Sequence, residues 1–99
     1  MPNYRRLFVP GASYFFTVVT ADRAPILVTD QARACLRRAF VAAKARWPFE
    51  IPAIVLLPDH LHAIWTLPRG DDAFPRRWAS IKRSFSQDWL ESGGDLSGL

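Results

Sequence analysis

Ninety-nine residues, 49% of them hydrophobic and including four Trp and seven Phe, are enough for one small folded core and exclude an intrinsically disordered chain. Thirteen Lys and Arg against nine Asp and Glu leave a formal charge of +4, and most of the cations are arginines, which favours a polyanionic partner, nucleic acid first. A lone cysteine, Cys35, excludes an internal disulfide and fits a reducing, cytoplasmic setting; no apolar run approaches the roughly 20 residues of a membrane span, so no membrane partner is expected.

In chain order, Arg5-Arg6-Leu7-Phe8 imitates a twin-arginine signal. Pro10-Gly11 breaks that segment, and the aromatic, β-branched stretch after it lacks the Leu/Ala character of a secretion signal. Ser13 to Thr20 reads as a first strand, followed by a loop containing Pro25. Thr29 or Asp30 can cap a helix whose apolar stripe is Ala32, Cys35, Leu36, Ala39, Phe40, Ala43 and Trp47. Arg33, Arg37, Arg38 and Lys44 lie off the stripe, and Pro48 ends the helix. Phe49 to Leu57 is apolar on both faces, which predicts a central second strand.

Pro58-Asp59 joins that strand tightly to a third. Proline cannot take positive φ, so a type I turn, with or without a bulge, is expected, and the register beside it stays open. Pro68-Arg69-Gly70 closes the third strand. A second helix begins near Phe74-Pro75, with the stripe Trp78, Ile81, Phe85 and Trp89 and with Arg76, Arg77, Lys82 and Arg83 beside it; Ser92-Gly93-Gly94 stops it. Residues 1–91 thus form the domain and 92–99 a short polar tail. The order is β-α-β-β-α, an α+β two-layer sandwich with both helices on one face of an antiparallel sheet. A ferredoxin-like arrangement needs one further strand, which the chain does not supply before it stops. The first strand is then expected to expose an unpaired, hydrophobic edge, an aggregation or dimerisation hazard.

The third strand carries the chemistry. His60 and His62, the only histidines, share one face with Ile64 and Thr66, while Leu61, Ala63, Trp65 and Leu67 form an apolar face. Two positions along a strand separate Cα atoms by roughly 7 Å, close enough for both rings to converge on one metal ion. A His-x-His on a strand is more often incidental than ligating. Here the rings share the less apolar face, the strand is internal and the chain is basic. Two imidazoles alone leave coordination positions for water and a substrate oxygen, which suits a Lewis acid better than closed structural zinc. Asp59 could steady a ligand from behind, though its simpler role is turn former.

The run Leu57-Pro58-Asp59-His60-Leu61-His62-Ala63-Ile64-Trp65 resembles the His-hydrophobic-His (HUH) signature of single-tyrosine transposases, and more narrowly the REP-associated tyrosine transposases. Tyr4-Arg5-Arg6, Pro10-Gly11, Tyr14-Phe15-Phe16-Thr17, Trp78, Ile81-Lys82 and Phe85 occur in the expected order, so the resemblance runs from Tyr4 to about Trp89. It implies a DNA strand transferase acting on single-stranded DNA that carries REP-like hairpins, with Mg²⁺ or Mn²⁺ held by His60 and His62 and a 5′-phosphotyrosyl intermediate. It also implies that the nucleophilic tyrosine and a third metal-binding residue lie on a later helix. Tyr4 and Tyr14 both precede the histidines, so no catalytic tyrosine is assigned, and the chain is expected to be a C-terminally truncated member. Tyr4, Arg5, Arg6, Arg76, Arg77, Lys82 and Arg83 are the candidate DNA contacts; any single helix-face arginine is more simply a solvated surface group. A non-catalytic domain that recognises DNA hairpins is the alternative, and an RNA-binding α+β module the weaker third, because Ile64 and Thr66 offer no stacking aromatic beside the histidines.

Overall fold

The computed structural model describes residues 3–4 and 13–94. Its elements are β1 (Asn3–Tyr4), β2 (Ser13–Val19), α1 (Asp30–Arg46), β3 (Glu50–Leu57), β4 (His60–Thr66) and α2 (Phe74–Glu91), with 3₁₀ turns at Ala21–Arg23 and Ile26–Val28 in the loop after β2. The strands form one antiparallel sheet in the order β1-β2-β4-β3. Both helices pack on the face that carries Leu61, Ala63, Trp65 and Leu67, all of them buried. The expected α+β two-layer sandwich is therefore the architecture observed. No described helix is long and apolar enough to cross a membrane.

The helices start and stop where local chemistry dictates. The Thr29 hydroxyl accepts from the Ala32 N–H, capping α1, and Pro75 occupies the first turn of α2, where a missing N–H costs nothing. Past the C-terminus of α2, Gly93 takes φ 93°. The Gly93 and Gly94 N–H groups donate back to the Leu90 and Trp89 carbonyls, a Schellman closure that needs the left-handed residue glycine allows. The core between sheet and helices is aromatic. Trp65 of β4 stacks on Trp78 of α2 at 4.3 Å between ring centroids, with Phe49 at 4.5 Å and Phe16 at 4.9 Å from Trp65.

Two expectations need correction. The strand predicted to be central, β3, is an edge strand: β4 pairs with β3 on one side and β2 on the other. Its apolar residues do not mark double burial, since Ile54 and Val55 are exposed: Val55 lies beside His62 on the face away from the helices, while Ile51 and Leu56 pack against the core. Secondly, the edge of β2 is not bare. Asn3 and Tyr4 pair with Thr17 and Phe16, so a two-residue strand covers part of it. The turn expected at Pro58-Asp59 needs no correction: neither residue is at positive φ, and the register left open is regular beside the histidines, with Leu57 opposite His60. The irregularity lies at the far end, between Glu50 and Ala53, where Pro52 has no N–H for a ladder bond. Pro10-Gly11 and residues 95–99 of the expected tail lie outside the described residues.

Candidate functional site

Because β4 is flanked on both sides, its two faces have separate fates. The odd-numbered residues enter the core, and His60, His62, Ile64 and Thr66 stay half-buried on the other side. The register fixes their neighbours: Val19 and Leu57 flank His60, while Thr17 and Val55 flank His62. The imidazoles meet edge to face, with centroids 4.9 Å apart and planes at 82°. Phe15, more than half exposed, stacks on His62 at 5.6 Å.

Each ring is held at Nδ1. His60 Nδ1 is 2.7 Å from Asp59 Oδ1, and His62 Nδ1 is 2.9 Å from Thr17 Oγ1. Neither Nε2 has a hydrogen-bond partner among the described residues. Asp59 also accepts from Arg23 Nε at 2.9 Å. The hydrogen bond with His60 chiefly, and the Arg23 charge, hold the Asp59 carboxyl below the ordinary carboxylate range. An ionised carboxylate only accepts, so His60 Nδ1 must donate, and in the neutral ring the lone pair then lies on Nε2. This donor set suits a divalent cation: two imidazoles on one face, each with its Nδ1 hydrogen-bonded and its Nε2 turned to no described partner. Among the described residues no group of three or more His, Cys, Asp or Glu could hold a metal, so further ligands would come from outside that set.

The structure does not gather the basic residues around the histidines. Arg76 and Arg83 are exposed on α2, in the helical layer on the opposite side of the sheet, and the Arg76 guanidinium lies 5.2 Å from the Trp47 ring centroid. Lys82 lines an apolar groove of ≈ 610 Å³ between β2, the loop after it and α2; desolvation there lowers its pKa. Arg77 is no phosphate contact at all. It is 1% exposed and donates to the Trp47, Pro48 and Ala73 carbonyls and bidentately to Asp71, so every arm is spent inside the fold. Arg5 and Arg6 lie outside the described residues, as does the Tyr4 side chain. Tyr14 is buried on the helical side against Phe74, away from the histidines.

Sequence reasoning missed Thr17, Phe15 and Arg23. Alternation along β2 puts Phe15 and Thr17 on the histidine side, but their alignment with His62 depends on a register no local pattern fixes. For Arg23 there was no signal.

No family model matches the chain. A REP-associated tyrosine transposase of Escherichia coli (strain K12) is 48% identical over 86 residues, covering 87% of this chain and 52% of the relative. A Haemophilus influenzae protein provisionally given the same name is 41% identical over 87 residues, covering 88% and 49%. The chain therefore spans about half the length of the curated relatives it matches. Among solved structures, a REP-associated tyrosine transposase bound to a REP hairpin superposes with a TM-score of 0.74 at 44% identity, over 88% of this chain and 52% of that one. A Deinococcus radiodurans protein provisionally described as a transposase shares the fold, with a TM-score of 0.66 at 16% identity over 89% of this chain and 66% of that one. Sequence and fold agree: over 86 of its 99 residues the chain is similar to a REP-associated tyrosine transposase, and its fold superposes on that of a second protein so named.

Proposed function

We propose that this chain is the metal-binding, hairpin-recognising part of a DNA transposase that acts on single-stranded DNA. The observation that carries the reading is the pair of imidazoles on the side of β4 away from the helices, each bonded at Nδ1 with Nε2 unengaged among the described residues, in a fold matched to a relative solved with a REP hairpin. His60 and His62 would hold Mg²⁺ or Mn²⁺, which when bound supplies Lewis-acid polarisation of a scissile phosphate. The chain's own contribution is placement. The sheet sets the two rings at one spacing, Asp59 and Thr17 set their rotation, and exposed Phe15 offers a flat apolar surface beside them. Strand transfer through 5′-phosphotyrosine needs a tyrosine on that same side, and Tyr14 faces the core. The nucleophile is thus expected from the part of the family's length this chain does not span.

Burial of Tyr14 also favours a second reading, a hairpin-binding domain without cleavage. Residues 1–91 form the transposase-like domain in either case. The buried Cys35 thiol supports a reducing cytoplasm, and the exposed Ile54 and Val55 on edge strand β3 offer a surface for homodimerisation.

Fluorescence anisotropy with labelled hairpin-bearing single-stranded DNA tests both readings. Binding that strengthens with Mn²⁺ and loses that increment in the His60→Ala/His62→Ala double variant is expected. Equal affinity for blunt duplex, indifferent to Mn²⁺ and to both substitutions, would remove the nuclease reading. A covalent protein–DNA adduct formed by this chain would contradict the assignment of its nucleophile elsewhere.

A further inference from the structure

The hairpin that presents the histidines is fastened to the loop after β2 by an unusually dense set of bonds. The Thr20 N–H donates to the Asp59 carbonyl at 2.9 Å, and the single Thr20 hydroxyl proton is shared between the Ala24 carbonyl at 2.8 Å and the Asp59 carbonyl at 3.1 Å. The Leu27 N–H donates to the Pro58 carbonyl at 3.0 Å. Within this loop, Asp22 and Arg23 both sit at left-handed φ, 52° and 53°, a conformation that is costly for a side chain such as arginine and persists only where the surroundings enforce it. The loop closes on itself through the Arg23 and Ala24 N–H groups, donated to the Thr20 and Ala21 carbonyls. The outcome of the left-handed turn is that Arg23 Nε reaches Asp59 Oδ2 at 2.9 Å, while Asp59 Oδ1 takes His60 Nδ1 at 2.7 Å.

We propose that Asp59, held by Arg23 on the strained Asp22–Arg23 turn, is a positioning residue that locks His60 in the Nδ1–H tautomer and aims its Nε2 at the metal position. The proposal rests on His60 and His62 being metal ligands. Two oxygens of one carboxylate do two different jobs: one receives the ring proton, the other is pinned so that the carboxylate cannot rotate away. Arg23 is 64% exposed on its side chain, so its own contribution is the smaller. Thr17 Oγ1 meets His62 Nδ1 with no charge behind it, and a hydroxyl, able to donate or accept, orients the ring without selecting its tautomer.

The test uses the whole chain and begins without metal. Long-range ¹H–¹⁵N NMR at a pH where the imidazoles are neutral reads the tautomer of each histidine directly. In the native protein His60 should be the Nδ1–H form. Asp59→Ala should move it toward the Nε2–H form that free imidazole side chains favour, and Asp59→Asn, whose amide oxygen still accepts, should largely preserve it. Mn²⁺ affinity, read by water-proton relaxation, should fall roughly 10- to 100-fold in Asp59→Ala and several-fold in Arg23→Gln. Adding Arg23→Gln to Asp59→Ala should weaken binding no further. An unchanged His60 tautomer in Asp59→Ala, or Mn²⁺ affinity within twofold of native, would overturn the proposal. If Asp59→Ala does not fold, Asp59→Asn and Arg23→Gln decide it by the same two readouts. A native protein that takes up no Mn²⁺ would sink the metal reading and the proposal with it, whereas Mn²⁺ uptake with an unchanged tautomer in Asp59→Ala would sink the positioning role alone.

Discussion

The two faces of the sheet spend their polar chemistry in opposite ways. On the helical side the conspicuous polar group is Arg77, which is buried and has its donors divided among three carbonyls and the Asp71 carboxylate. Nothing of it is left for a ligand; it ties the end of α1 to the start of α2. On the other side His60 and His62 are half-buried, each bonded at one nitrogen and unengaged at the other. A residue type's reputation therefore says little here. The arginine, expected to meet phosphate, is structural, whereas the imidazoles keep one coordination-capable atom each.

This contrast predicts that damage to buried groups registers as lost stability and damage to groups left open to solvent as lost binding. The largest expected effect is Trp65→Ala, which empties the centre of the aromatic stack and should cost about 3–5 kcal/mol in denaturant unfolding. Next is Asp71→Ala, which strands a buried guanidinium among neutral carbonyls and should cost on the order of 3 kcal/mol. The same pair should appear in the pH dependence. The hydrogen bond from Arg77 lowers the Asp71 pKa in the fold. Its contribution is then complete above the ordinary value of 3.8 and disappears as the pH falls through the lower folded value, so acid unfolding should be steeper in the native protein than in Asp71→Asn. By contrast, His60→Ala/His62→Ala should move stability by about 1 kcal/mol or less. The smallest effect concerns Arg76 and Arg83: replacing both with Gln should leave folding untouched and flatten the salt dependence of single-strand binding by roughly 0.7 per lost phosphate contact.

Much of this division was written in local pattern. Alternation along His60–Leu67 separated the two faces, and the helical periods of α1 and α2 identified the residues that pack. Other features depend on partners that no local pattern names. Residues 50–57 are as apolar as a central strand, yet β3 lies at the rim, because sheet order is decided by which strand β2 chooses. Arg77 had a readable signal that went unused: with Phe74, Trp78 and Ile81 it completes the i, i+3, i+4, i+7 stripe of α2, a position that faces the core whatever its charge. β1, at two residues, has no period to detect. The Arg23–Asp59–His60 chain is assembled by a left-handed turn between non-glycine residues, which propensity disfavours and only tertiary bonding enforces.

The central claim is that the two imidazoles of β4 hold a divalent cation together. Isothermal calorimetry of Mn²⁺ into the chain addresses it most directly. One site per chain is predicted, weakened in each of His60→Ala and His62→Ala and absent from the double variant, with the folded baseline unchanged in all three. Uptake that survives the double substitution, or no uptake by a native chain whose circular dichroism shows it folded, would contradict the account.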